Sequence, residues 1–202
     1  MRQLKRDLIL LFALVFLQVS SVNAAGSYIG FFPAVIGSST QPSATNVALA
    51  TNGGTASASS ATGSYDPSGT INGDRKGLNW GSNGGWNDAT VSTFPDWLEV
   101  DFNATYSIVE IDVFTIQDSF ASPATPTLAM TFNNYGIVAF QVQYWTGSAW
   151  ADVPSGNVTG NNKVWRQFTF SAISTNKIRV LVNSSAGSND YSRIAEVEAW
   201  TP

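Results

Sequence analysis

The chain has 202 residues, no cysteine, no histidine, 12% charged residues and a formal net charge of −4. The missing histidines remove the commonest general base, the commonest partner of a serine or cysteine nucleophile and the commonest ligand of catalytic zinc. No basic cluster follows the N-terminal residues, which disfavours electrostatic binding of nucleic acid or anionic lipid, and without disulfides a chain of this size must hold itself together by burial, hydrogen bonds and any metal it binds.

In chain order, Arg2, Lys5 and Arg6 precede an unbroken apolar run from Leu8 to Leu17 and then the small residues around Val22-Asn23-Ala24. This is the pattern of a secretory signal peptide cut after Ala24. The apolar run is short for a bilayer span, which needs roughly 20 residues. The expected address is therefore extracellular, with no membrane insertion after cleavage. Residues 25–45, rich in Gly, Ser, Pro and Thr, read as a leader or a loose first strand, and residues 46–202 suit one domain with a sizeable core.

From Asn46 onward, short runs of Val, Ile, Phe, Tyr and Trp alternate with polar residues between clusters of Gly, Asn, Ser and Pro. Period-two alternation of this kind predicts strands over Trp97 to Phe102, Ile108 to Ile116, Ile137 to Trp145, Ala149 to Val153, Val164 to Phe170, Lys177 to Asn183 and Ile194 to Trp200. Thr146-Gly147-Ser148 predicts a hairpin loop. Glu110 and Asp112 alternate with Val109, Ile111 and Val113, as on the solvent face of a strand. No long stretch has helical periodicity, so the predicted class is all-β, an antiparallel β-sandwich or jelly roll.

Three segments carry the most specific signal. The polar loop Tyr65 to Trp80 is punctuated by Gly69, Gly73 and Gly77; Trp97-Leu98-Glu99-Val100-Asp101-Phe102 follows; and Arg193-Ile194-Ala195-Glu196-Val197-Glu198-Ala199-Trp200 closes the chain. In this order and spacing, over about residues 45 to 201, the sequence resembles the discoidin family, the coagulation factor five/eight C-type or galactose-binding-like domain. The resemblance implies two antiparallel sheets packed face to face.

A hard cation such as calcium takes six to eight oxygens from carboxylates, amides and carbonyls, and the loop from Gly69 to Leu78 is rich in them. The resemblance implies one structural Ca²⁺ held by Asn72, Asp74, carbonyls near Gly69 and Gly77 or Leu78, and the carboxylate of Glu196. Asn72 stands where the family usually has Asp, and the loop is one residue longer than usual. The competing reading is a surface turn in which Asn and Asp bond their own backbone. Glu198 is expected on the exposed side of its strand.

Sugar recognition needs an aromatic plane beside a few polar side chains. Trp97, Phe102, Phe114, Phe140, Phe168, Phe170 and Trp200 sit in alternating strands and are expected in the core. Trp86, within a Gly- and Asn-rich stretch, is the better candidate for an exposed platform, with partial burial against its own loop as the competing reading, and the resemblance implies that Trp80 packs beneath the cation loop. The resemblance implies a ligand site where three loops converge: Trp86, Asn87 and Asp88; Gln117, Asp118 and Phe120; Asn189, Asp190, Tyr191 and Arg193. Structural hydrogen bonds or an ion pair are the competing reading for Asp118 and Arg193.

The expected function is that of a secreted, non-catalytic, lectin-like carbohydrate-binding module acting on glycans or glycoconjugates. Self-association to a homo-oligomer would combine weak sites. An adhesion module with a protein partner is the alternative, since one fold hosts both roles. Hydrolysis would need two acids in one cleft, and no such pair stands out.

Overall fold

The computed structural model describes residues 43–187 and 189–202; the expected signal peptide and nearly all of the leader lie outside them. Among the described residues seven strands form: β1 (Thr55–Ala58), β2 (Trp86–Asn87), β3 (Asp96–Thr115), β4 (Ile137–Trp145), β5 (Trp150–Val158), β6 (Trp165–Ser185) and β7 (Arg193–Trp200). Two short 3₁₀ turns, Ala50–Asn52 and Pro67–Ile71, lie on either side of β1. Every pairing is antiparallel.

Two long bent strands build both layers of the sandwich. The first part of β3, Asp96 to Asp101, pairs with β1 and with Lys177 to Val182 of β6. Its last part, Glu110 to Thr115, pairs with β7 and, from Glu110 to Phe114, with Trp165 to Thr169 of β6. Register shifts between Asp101 and Tyr106, and again between Ile108 and Glu110, mark where the strand turns from one layer to the other, as irregularities do at sandwich corners. The predicted pairs of strands on either side of these corners are thus single β3 and β6 strands.

One layer runs β1, early β3, late β6, β4, β5; the other runs β2, β7, late β3, early β6. Leu98 and Val100 from the first meet Ile111, Val113, Phe168 and Val197 from the second in one continuous core. The hairpin loop forms as predicted, with Thr146 N donating to Ala149 O at 2.9 Å. The start of the domain is stitched to its end: Val47 N donates to Ala199 O, and Ala199 N to Asn46 Oδ1.

Several expected positions change. Trp97 is only half-buried on the outer side of its layer and Trp200 is likewise partly exposed, whereas Phe170, also partly exposed, packs against the core. Phe114 is fully buried, yet it shares the outward side of β3 with Glu110 and Asp112. That outward side is not a solvent face, because the loop after Ile71 lies over it. Arg75 carries its guanidinium 5.1 Å from the Phe114 ring and 5.4 Å from that of Trp165, and pairs bidentately with Glu198 at 2.7 and 2.6 Å. Asp112 and Glu198, both expected to be exposed, are 1% and 3% accessible.

Candidate functional site

The loop from Asn72 to Leu78 is tied first by its own side chains. Asn72 Oδ1 accepts from Asp74 N, and the Asp74 carboxylate accepts from Lys76 N at 3.0 Å and Leu78 N at 2.6 Å. These are the Asx-type bonds of a polar turn. Gly73 and Gly77 have φ of 86° and 71°, a region open chiefly to glycine. A Cβ on Gly77 would stand 3.2 Å from Ile116, and one on Gly69 would overlap the backbone of Asn83 and Gly85. Both glycines therefore serve close packing.

Glu196 departs from this self-contained pattern. It is wholly buried, its Oε1 accepts from Gly73 N at 2.9 Å, and its Oε2 has no hydrogen-bond partner among the described residues. Burial pushes its carboxyl up to about 9, against the backbone hydrogen bond from Gly73. A buried carboxylate oxygen with nothing to bond is costly, and a cation would satisfy it. No group of three or more His, Cys, Asp or Glu gathers among the described residues, so amide and carbonyl oxygens would have to complete the shell. That donor set fits calcium and not zinc.

On the neighbouring strand, Asp112 accepts indole N–H groups from Trp165 at 2.7 Å and Trp200 at 3.2 Å. Burial, more than the repulsion of Glu110 and Glu198, pushes its carboxyl up to about 7. A carboxyl raised in the fold keeps a proton that the unfolded chain has released, so its stabilisation is present at low pH and lost as pH rises from about 4 to about 7. Asp112→Asn should therefore show a thermal midpoint that changes less between pH 4 and 8 than that of the parent. Parallel midpoint curves across that range would contradict this assignment.

At the end of the sandwich, five aromatic residues surround a cavity of about 300 Å³: Tyr65, Trp80, Phe120, Tyr135 and Tyr191. Tyr65 meets Trp80 with ring centroids 5.1 Å apart, and Phe120 meets Tyr135 edge-on at 5.6 Å. Thr62, Ile116, Asn87 and Arg193 complete the lining. The Arg193 guanidinium lies 5.3 Å from the Tyr135 ring and 5.0 Å from that of Tyr191. Its Nε donates to Asn87 Oδ1 at 2.8 Å and its Nη2 to Asn189 O at 2.9 Å. Burial pulls its pKa down from the usual guanidinium range. These two hydrogen bonds to neutral oxygens hold the guanidinium in the cavity wall, and its Nη1 has no hydrogen-bond partner among the described residues.

The three expected loops do meet at this end, but not with all the expected residues. Trp86 is fully buried: β2 pairs with β7, Trp86 lies opposite Ile194, and its indole donates to Ser60 O at 2.7 Å. The Gly- and Asn-rich flanks concealed a two-residue edge strand whose side chain turns into the core. Asp88 is also fully buried, accepting from Ser192 N, Thr90 N and the Thr90 hydroxyl, and does not line the cavity. Gln117 exchanges hydrogen bonds with the Ala124 backbone, and Asp118 accepts from Asn133 N and Asn134 N. Both face a second cavity. Asp190 is engaged by the Ser92 hydroxyl.

Asn87, Phe120, Tyr191 and Arg193 line the aromatic cavity. Trp80, expected beneath the cation loop, is half-buried and forms part of the same wall. Tyr65 and Tyr135 were not singled out by the sequence. Tyr135 takes a φ of 66° just before Gly136, and only the fold shows that its ring turns toward Phe120.

A two-layer sandwich with an aromatic cavity among its end loops has the form of a galactose-binding-like module. The F5/8 type C domain profile matches residues 55–197, and the chain belongs to that family. No curated protein matches it by sequence. Among solved structures, the family 32 carbohydrate-binding module from C. perfringens NanJ in complex with galactose is 20% identical with a TM-score of 0.56, over 78% of this chain and 98% of that one. The family 32 module from Streptococcus pneumoniae EndoD is 16% identical at 0.57, covering 78% and 100%. A Streptococcus pneumoniae fucose binding module is 19% identical at 0.56, covering 78% and 96%. At these identities the likeness concerns the fold.

Proposed function

We propose that the protein is a secreted, non-catalytic carbohydrate-binding module that holds a sugar unit in the aromatic cavity. The observation that carries this reading is the cavity itself: five aromatic residues line it together with the polar side chains of Arg193 and Asn87. A sugar offers one C–H face and a rim of hydroxyls, and such a wall complements both. About 300 Å³ lies at the small end of ligand pockets, which suits one ring and not a long segment of chain. Solved modules of the same fold are described as bound to galactose and as fucose-binding, which supports the ligand class.

Beside this site, the reading places a structural Ca²⁺ at Glu196 and the Asn72-to-Leu78 loop, with Asn72, Asp74 and carbonyls near Gly69 and Gly77 as the remaining oxygens. The cation would neutralise the buried Glu196 carboxylate and brace the chain segment that leads into Trp80. It takes no part in any bond-making step.

The test is a glycan array on the mature domain, with Trp80→Ala as the control. Specific binding by the parent and a loss of roughly 30-fold in the variant are expected, since a central aromatic anchor carries about 2 kcal/mol. A folded parent that binds no glycan would shift the reading to a protein-binding adhesion module.

A further inference from the structure

The connection from Ile116 to Gly136 between β3 and β4 is well beyond the ~12–15 residues past which irregular loops are uncommon and usually functional. It encloses a second cavity of about 270 Å³, bordered by Gln117, Asp118, Ser119, Ser122, Met130 and Thr131. The two cavities border the same segment of this connection. Ile116 and Phe120 line the aromatic one, whereas Gln117, Asp118 and Ser119, the residues between them, line the other. The segment Ile116 to Phe120 is therefore a common wall, and Phe120, 37% exposed, belongs to the loop surface over which a ligand would pass.

The second cavity is shaped in advance. Gln117 locks Ala124 through two hydrogen bonds, Asp118 holds the amides of Asn133 and Asn134, and Met130 O accepts from Val164 N at 3.1 Å. Asp118 and Gln117 are thereby committed to the loop. The residues left over are of another kind: Ser119, Ser122 and Thr131 are exposed, and no hydrogen bond among the described residues uses their hydroxyls. Exposed hydroxyls beside the Met130 thioether, on a loop that needs no ordering, offer hydrogen bonds and an apolar contact at little entropic cost.

We propose that this cavity is a second sugar subsite, so that the natural ligand is an oligosaccharide whose end unit occupies the aromatic cavity and whose next unit crosses Phe120 into the hydroxyl-lined one. The inference rests on the carbohydrate reading of the first cavity. It adds a ligand length and a second set of contacts, Ser119, Ser122, Met130 and Thr131.

The experiment compares monosaccharides with di-, tri- and tetrasaccharides ending in galactose, N-acetylgalactosamine or fucose, first on an array and then by calorimetry. The proteins are the parent, Ser122→Trp, which fills the cavity, and the Ser119→Ala/Ser122→Ala pair, which removes hydroxyls while keeping the space. The parent should bind an oligosaccharide about tenfold more tightly than its terminal monosaccharide, the worth of one or two net hydrogen bonds. Both variants should melt like the parent, keep its monosaccharide affinity and lose the tenfold gain. Equal affinity of the parent for all chain lengths, or a gain that survives in Ser122→Trp, overturns the second subsite. A parent that binds no sugar of any length instead overturns the carbohydrate reading beneath it.

Discussion

Trp86→Ala should destabilise the domain by ~3–5 kcal/mol, the usual range for emptying a large aromatic site in a core. Trp86 is completely buried beside Ile194, packs in the same core as Ile71, and satisfies Ser60 O through its indole. Truncation leaves both a void and an unpaired carbonyl. For a domain of this size the loss corresponds to a fall in thermal midpoint of roughly 6–20 °C. Trp80→Ala should differ in kind, because Trp80 is half-buried and borders the cavity: its main effect falls on ligand affinity. Thermal melts of the two variants separate the cases, and a Trp86→Ala midpoint within a degree or two of the parent's would contradict the assignment of Trp86 to the core.

Calcium should raise the thermal midpoint of the parent and leave Glu196→Gln unmoved. A ligand at 100 times its dissociation constant stabilises the folded state by about 2.7 kcal/mol, or roughly 5–10 °C for a domain of this length. The glutamine keeps an oxygen for Gly73 N but offers a cation no charge. In a chelator, Glu196→Gln should melt at or above the parent's temperature, because the amide enters the core uncharged without having to take up a proton. Equal responses of the two proteins to calcium would place the cation elsewhere. No response in either would leave Glu196 as a buried acid that keeps its proton.

The all-β class, seven stretches of strand on β3, β4, β5, β6 and β7, and the family were legible in the sequence because alternation and the three spaced motifs report directly on strands buried on one side. Reading failed where a loop covers a sheet. The pattern at Glu110, Asp112 and Glu198 is that of an outward row, and these residues do point outward; nothing in their spacing tells that Arg75 closes over Phe114 and Trp165 and that Asp112 and Glu198 are buried there while Glu110 stays partly exposed. It failed again at Trp86, where flanking glycines suggest a loop although the decisive fact is the pairing of two residues with Arg193 and Ile194, more than a hundred positions away.

The site was legible by region and not by rotamer. Asn87, Phe120, Tyr191 and Arg193 come together at the end of the sandwich where the family resemblance places them. Gln117 and Asp118 come from the same loop as Phe120 but turn to its other side. Ile116 and Phe120 line one cavity while Gln117, Asp118 and Ser119 between them line the other, so a loop's membership in a site does not assign its individual side chains. Tyr65 lies in the loop singled out for a cation, and its ring is instead part of the aromatic wall, against Trp80.

The most direct measurement is a nuclear magnetic resonance titration of the labelled mature domain with the strongest glycan from the array, following the seven indole N–H signals and the Arg193 Nε–H. Binding in the aromatic cavity predicts that the Trp80 and Arg193 signals move with a common saturation curve, while Trp145 and Trp150, paired at the β4–β5 hairpin, stay in place. Shifts confined to Trp145 and Trp150, with Trp80 and Arg193 unmoved at saturation, would contradict the placement of the site.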